Sequence, residues 1–202
     1  MSLKSLSGGN SIVEFVLIVA IAIGLALLIQ AFIVKPYRIP SGSMEPTLAI
    51  GQRVLVNRIG NTFSDPHVGE ILVFHPPQGA LEPVSCGVQV ALNQLCSTPT
   101  AQEANVNFIK RVVAGPGDTI AVRDGHVIRN GREQEESFIR GCNGSPGCNF
   151  PTAIRIPAGR WFMMGDNRGD SEDSRFWGPI PKKWIIGGAF ATYWPLGRLG
   201  IL

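Results

Sequence analysis

Two hydrophobic rhythms divide the chain. From Phe15 to Val34, twenty consecutive residues are broken only by Gly24 and Gln30. At 1.5 Å of rise per residue such a helix is about 30 Å long, the hydrocarbon thickness of a bilayer. The run is too long and too evenly apolar for the core of a cleaved leader, and the KPYRIPSGS that follows offers no small-x-small cleavage site. It predicts a membrane anchor over 15–34, with a buried core helix as the alternative. After residue 35 the apolar positions recur with period two. RVLVN (Arg53 to Asn57), ILVFH (Ile71 to His75), NFIKRVV (Asn107 to Val113), TIAV (Thr119 to Val122), RWFMMG (Arg160 to Gly165) and WIIGGAFATYW (Trp184 to Trp194) predict strands. Asp124-Gly125 and Asn130-Gly131 flank HVIR and predict two tight hairpins, because both dipeptides accept positive φ. No amphipathic helix follows residue 35. The expected fold class is therefore mostly β behind a single N-terminal transmembrane helix.

Two stretches break the strand rhythm. Pro76 to Glu103 is long and contains Cys86 and Cys96, and Gly131 to Pro157 carries CNGSPGC, a plausible cross-linked hairpin tip. Long loops in a compact domain serve as functional covers or as insertions. Residues 35–202 are enough for one domain with its own core.

Charge and cysteine content narrow the function classes. A net charge of +3, with no cluster of Lys or Arg, leaves no footprint for nucleic acid. Lys4 and the α-amino group lie before the apolar run, Lys35 and Arg38 after it, so charge alone does not orient the anchor. Four cysteines permit three pairings, and an even number in a small exported domain points to an oxidising compartment. Neither close pair has C-x-x-C spacing, so no metal site is expected.

The candidate chemistry begins with PSGSMEPTL, Pro40 to Leu48. Pro40 and Pro46 bias Ile39 and Glu45 to extended conformations, and Gly42 permits close backbone approach or an unusual φ. The result is a rigid, exposed loop holding Ser41 and Ser43 two residues apart, a spacing suited to a nucleophile and an oxyanion donor; the bland reading is an ordinary Ser/Gly/Pro turn. A serine needs a base. His67, His75 and His126 each lack a companion Asp in a suggestive context. Lys110 is the better base: alternation places it between Phe108 and Val112 on one face, where burial would lower its pKa toward neutrality. Its bland reading is a charge guarding an edge strand. A third stretch, GDNRGDSEDSRFWG (Gly165 to Gly178), holds four acids and two arginines, and suits a loop knotted by carboxylate–guanidinium pairs.

In this order, PSGSMEPTL, VGEILVFHPP, FIKRVVAGPGD and GDNRGDSEDSRFWG resemble the bacterial type I signal peptidases. The similarity runs from the anchor to the closing ATYWPLGRLGIL and thins across 77–106 and 131–157. The resemblance implies a serine–lysine dyad endopeptidase with Ser43 as nucleophile and Lys110 as general base. Ser41 and the Ser43 backbone N–H would form the oxyanion hole. Ser171 would orient the lysine, with Ser174 as the alternative, since Gly169-Asp170 replaces the Asp-Asn common before that serine. Gly165, Asp166, Asp173, Arg175 and Arg111 would support the site. It implies a signal-peptidase-type β-fold with a loop insertion at 77–106 and a small cap over about 119–160. A cytoplasmic tail (1–14) would precede the anchor, with the catalytic domain (35–202) outside the bacterial inner membrane. It also implies disulfides Cys86–Cys96 and Cys142–Cys148. The expected partners are exported preproteins with small residues before the cut and the lipid bilayer; no metal or cofactor is needed. A peptidase dedicated to one substrate and an inactive binder of signal peptides are the competing readings.

Overall fold

The computed structural model describes residues 11–202 except 83–85, 92, 143, 145 and 146. The first ten residues of the expected N-terminal tail, and parts of both loop insertions, lie outside the described residues.

The apolar run forms helix α1, Ser11–Phe32. It begins four residues before Phe15 and stops before Val34, because Val34 is taken by the first strand, β1 (Val34–Arg38). None of its apolar window is buried against the rest of the chain, which excludes the core-helix alternative. The strands that follow are β2 (Arg53–Asn57), β3 (Ile71–Phe74), β4 (Phe108–Ala114), β5 (Thr119–Arg123), β6 (His126–Arg129) and β7 (Arg132–Glu133). After them come β8 (Phe150–Arg155), β9 (Arg160–Met164), β10 (Ile180–Pro181), β11 (Ile185–Trp194) and β12 (Gly200–Ile201). The helices after α1 are single turns, among them α2 (Gly60–Phe63) and α3 (Ser174–Trp177).

The strands form two antiparallel sheets. The larger runs β1-β2-β11-β3-β4-β9-β10, with β12 added to β11. The smaller, β7-β6-β5-β8, is built from residues 119–155, the segment expected as a cap. Both hairpin dipeptides have the left-handed residues their turns require, with positive φ at Asp124, Gly125, Asn130 and Gly131. Leu95 from the 77–106 insertion packs with Ile120, Val122, Val127 and Phe150 of the small sheet and Val113, Phe162 and Met164 of the large one. One apolar cluster therefore joins the two sheets. A second, with Ile39, Met44, Leu48, Val54, Val73 and Ile109, lies under the serine loop. A third gathers Leu72, Phe74, Val112, Trp161, Trp177 and Trp184.

Strand β4 contributes to all three clusters. Its place beside β3 decides the environment of Lys110: Leu72 is the cross-strand neighbour, and although β9 pairs with β4 only from Arg111 onward, Lys110 is buried and guards no solvent-facing edge. Both disulfides, Cys86–Cys96 and Cys142–Cys148, are formed.

Candidate active site

Ser43 sits in a single 3-10 turn, Gly42–Met44, that follows β1. Met44 and Leu48 bury completely beneath it and fix the loop to the core. Ser41 is extended (φ −134°, ψ 163°), and Glu45 is extended too, as the following Pro46 favours. Gly42 has neither role expected of it. Its φ is not positive, and a Cβ there would find only ordinary contacts, 3.6 Å or more away. The glycine that the site requires is Gly165. A Cβ at that position would lie 2.4 Å from the Ser43 carbonyl oxygen and 2.3 Å from the Ser171 Oγ.

Lys110 comes to Ser43 across the sheet, and its Nζ donates to the Ser43 Oγ at 2.5 Å. Ser43 is 6% exposed and Lys110 4%, so the serine is not held out in an exposed loop as expected: Met44 and Leu48 draw the turn down onto the core. The Ser41 Oγ lies 3.3 Å from the Ser43 Oγ. Burial lowers the lysine pKa from 10.5 to about 8; the nearby Asp173 works in the opposite direction and only partly offsets it. A neutral amine in contact with a buried hydroxyl can take its proton.

Ser41, Ser43, Lys110 and Ser171 line one cavity of about 450 Å³, walled by Leu81, Phe108 and Phe176. Ser171 is buried, but its Oγ has no hydrogen-bond partner among the described residues, and it makes no bond to Lys110. Ser174, the alternative orienting serine, is already used: its Oγ accepts the Met163 N–H at 2.9 Å and does not line the cavity. None of the three histidines lines the cavity either. His75 Nδ1 lies 3.0 Å from the Val106 carbonyl, and His67 faces Glu70 at 3.8 Å.

The segment 165–178 is a knot rather than a solvated acidic loop. Arg111 binds Asp166 through Nε and Nη2 at 2.9 and 2.7 Å, and the Thr47 hydroxyl donates to the same carboxylate at 2.5 Å. Arg175 clasps Asp173 at 2.8 and 2.9 Å, and the Gly165 N–H donates to Asp173 at 3.1 Å. Burial works to raise the Asp173 carboxyl, but the Arg175 guanidinium and these donors outweigh it and hold it below its usual range. Asp173 also caps α3, accepting the Arg175 N–H at 3.2 Å. That turn, absent from the period-two reading, carries Trp177 into the core against Phe74.

Three supporting residues were not legible in the sequence. Asn167 donates its N–H to the Ser43 carbonyl at 3.0 Å and its side-chain amide to the Gly42 carbonyl at 3.1 Å, fixing the serine loop directly. Arg168, itself buried, pairs with Glu136 at 2.7 and 2.8 Å and donates to the Gly125 and Gly165 carbonyls. It thereby ties the 165–178 knot to the smaller sheet. The only sequence signal for the Arg168–Glu136 pair was an arginine amid acids, and its partner lies 32 positions away.

The family model described as "Signal peptidase, peptidase S26" matches residues 12–194. The chain belongs to that family. Among its relatives, "Probable signal peptidase I-1" of Synechocystis sp. is 40% identical, over 94% of this chain and 86% of that one. "Signal peptidase I" of Leptolyngbya laminosa is 38% identical, over 96% and 85%. "Signal peptidase IB" of Staphylococcus aureus is 28% identical, over 94% and 93%. Membership makes this chain a serine endopeptidase of the signal-peptide-removing class, and the unburied apolar helix at its N-terminus is consistent with membrane anchoring.

Proposed function

We propose that Ser43 and Lys110 are the catalytic dyad of a membrane-anchored peptidase that cleaves exported preproteins after a small-x-small motif. The observation that carries this reading is the buried lysine amine 2.5 Å from the serine hydroxyl. Neutral Lys110 takes the Ser43 proton as the Oγ attacks the scissile carbonyl. The oxyanion then faces the Ser41 hydroxyl and the Ser43 N–H, which sits in the opening turn of a helix, where amides lack intrahelical acceptors. Such a donor is worth about 3 kcal/mol in the transition state. The lysine ammonium returns the proton to the leaving amine, and water, deprotonated by the same lysine, releases the acyl-enzyme. Ser171, unpartnered beside the dyad, is a positioning group that engages once substrate closes the cavity. Gly165, Asp166, Asp173, Arg175 and Arg111 hold this geometry without touching the reacting atoms.

The cavity also suits an extended substrate. Strand β9 ends at Met164, opposite Arg111, so β4 has only β3 beside it from Phe108 to Lys110. Asn107 to Lys110 line the cavity along that half-open edge, where a peptide can add as a strand and place alternate side chains in pockets. The topology proposed is a cytoplasmic N-terminus and a catalytic domain across the bacterial inner membrane, where the two disulfides are stable.

The test is cleavage of a preprotein bearing an Ala-x-Ala site, in detergent with lipid, by the native chain and by Ser43→Ala and Lys110→Ala. Cleavage by the native chain alone supports the dyad. Cleavage persisting in Ser43→Ala would refute the nucleophile, and saturable signal-peptide binding without cleavage by any form would favour a binding module.

A further inference from the structure

A second cavity, of about 460 Å³, lies at the edge of the large sheet where the chain leaves α1, and it shares no residue with the catalytic cavity. The topology places it there. Val34 of β1 pairs with Asn57 at the end of β2, and the Arg58 N–H donates to the Ile33 carbonyl at 2.9 Å. Strands β2 and β3 are both antiparallel to β11, so they end on the edge from which β11 starts. Arg58 after β2, His75 after β3, and Lys183 and Trp184 before β11 therefore converge on one edge, next to the last residues of the membrane helix.

The lining chemistry is cationic. Among the described residues its lining carries the cations Arg58 and Lys183 and the carboxylate Glu103. His75 donates its Nδ1 proton to the Val106 carbonyl, since a carbonyl can only accept, and so presents Nε2 as its second polar atom. Trp184, 4% exposed, is part of the wall, while Ile59 and Phe63 nearby are 39% and 85% exposed. Exposed apolar residues beside guanidinium and ammonium groups, at the exit of an apolar helix, match the layering of a bilayer interface.

We infer that this cavity binds the phosphate of an anionic phospholipid headgroup, held by Arg58 and Lys183. The inference rests on α1 being a membrane anchor. It gives the domain a second attachment close to the helix exit, which restricts its rotation about the anchor. Lys182 is the neighbouring control: it pairs with Asp65 at 2.7 Å and does not line the cavity.

The experiment uses the full chain. Flotation with phosphatidylcholine vesicles reads the anchor, and native mass spectrometry from neutral detergent reads retention of phosphatidylglycerol against phosphatidylcholine. Inorganic phosphate serves as competitor. The expected result is selective retention of phosphatidylglycerol, weakened about fivefold in Lys183→Gln and further in Arg58→Gln/Lys183→Gln, and unchanged in Lys182→Gln. Lys183 is exposed, so the single variant keeps the test sound if the double variant misfolds. Flotation without headgroup preference, or a preference that survives both substitutions, would overturn the headgroup site alone. Failure to float would overturn the anchor reading and the inference with it. Displacement of the lipid by inorganic phosphate at equal concentration would make this a free-anion site and reject the lipid.

Discussion

The pH dependence of cleavage tests the dyad most directly. Burial places the Lys110 pKa at about 8, against 10.5 for the ordinary group, a difference worth roughly 3 kcal/mol. Only the neutral amine can accept the Ser43 proton. At pH 7 about one-tenth of the enzyme is then competent, and at pH 6 about one-hundredth; an unshifted lysine would leave well under a thousandth at pH 7. Single-turnover kcat/KM should rise about tenfold per pH unit below 8 and level off above it. Stability is linked in the same direction. Between about pH 8 and 10.5 the unfolded lysine is protonated and the folded one is not, so stability rises with pH across that window. Lys110→Met should lack this component and be the more stable form below pH 8. The assay is cleavage of a fluorogenic preprotein segment from pH 5.5 to 10, with urea unfolding of both proteins across the same range. A rate limb centred near pH 10, or a profile flat from pH 6 to 8, would refute the argument that desolvation readies the base.

Three further outcomes follow from the same geometry. Gly165→Ala must push the Ser43 carbonyl or the Ser171 side chain by an ångström or more, and kcat/KM should fall on the order of a hundredfold while circular dichroism stays native. Asp173→Ala leaves the Arg175 guanidinium buried without its carboxylate, and urea unfolding at pH 7 should show a loss of about 3–5 kcal/mol. Because the folded Asp173 pKa is depressed, the wild-type advantage should fade as pH drops below the normal carboxylate range, and an advantage independent of pH would contradict the assignment. Glu172, on the cavity wall, raises the affinity of Lys110 for its proton, so Glu172→Gln should move the rate limb toward lower pH; a shift toward higher pH would show that the two groups do not interact in this way.

Local pattern carried much of the architecture. The apolar run, the period-two strands and the Asp-Gly and Asn-Gly turns are signals written in neighbouring residues, and each appears as an element within a few positions of its expected place. Seryl and lysyl candidates were visible for the same reason: Pro40 and Pro46 stiffen their own loop, and Lys110 interrupts an alternating apolar strand. What the sequence left undecided was every property that depends on a partner far along the chain. Lys110 could have guarded an exposed edge; it lies just beyond the end of β9, yet the fold holds it against Leu72 and Ser43 and buries it, and burial sets its proton affinity. The expected role of Gly42 fell to Gly165, because close approach between two loops 122 positions apart is a property of their packing and not of either loop. The Arg168–Glu136 pair and the amides of Asn167 were hidden likewise, since charge pairing in a crowded loop has many local solutions and only the tertiary fold selects one. Sequence alone thus determined the apolar helix, the central strands, the two Asx-Gly turns and which residue types could react, while β1, β8 and the α3 turn carried no signal of their own. The folded sheets decided which of those groups meet, and how far from water they do so.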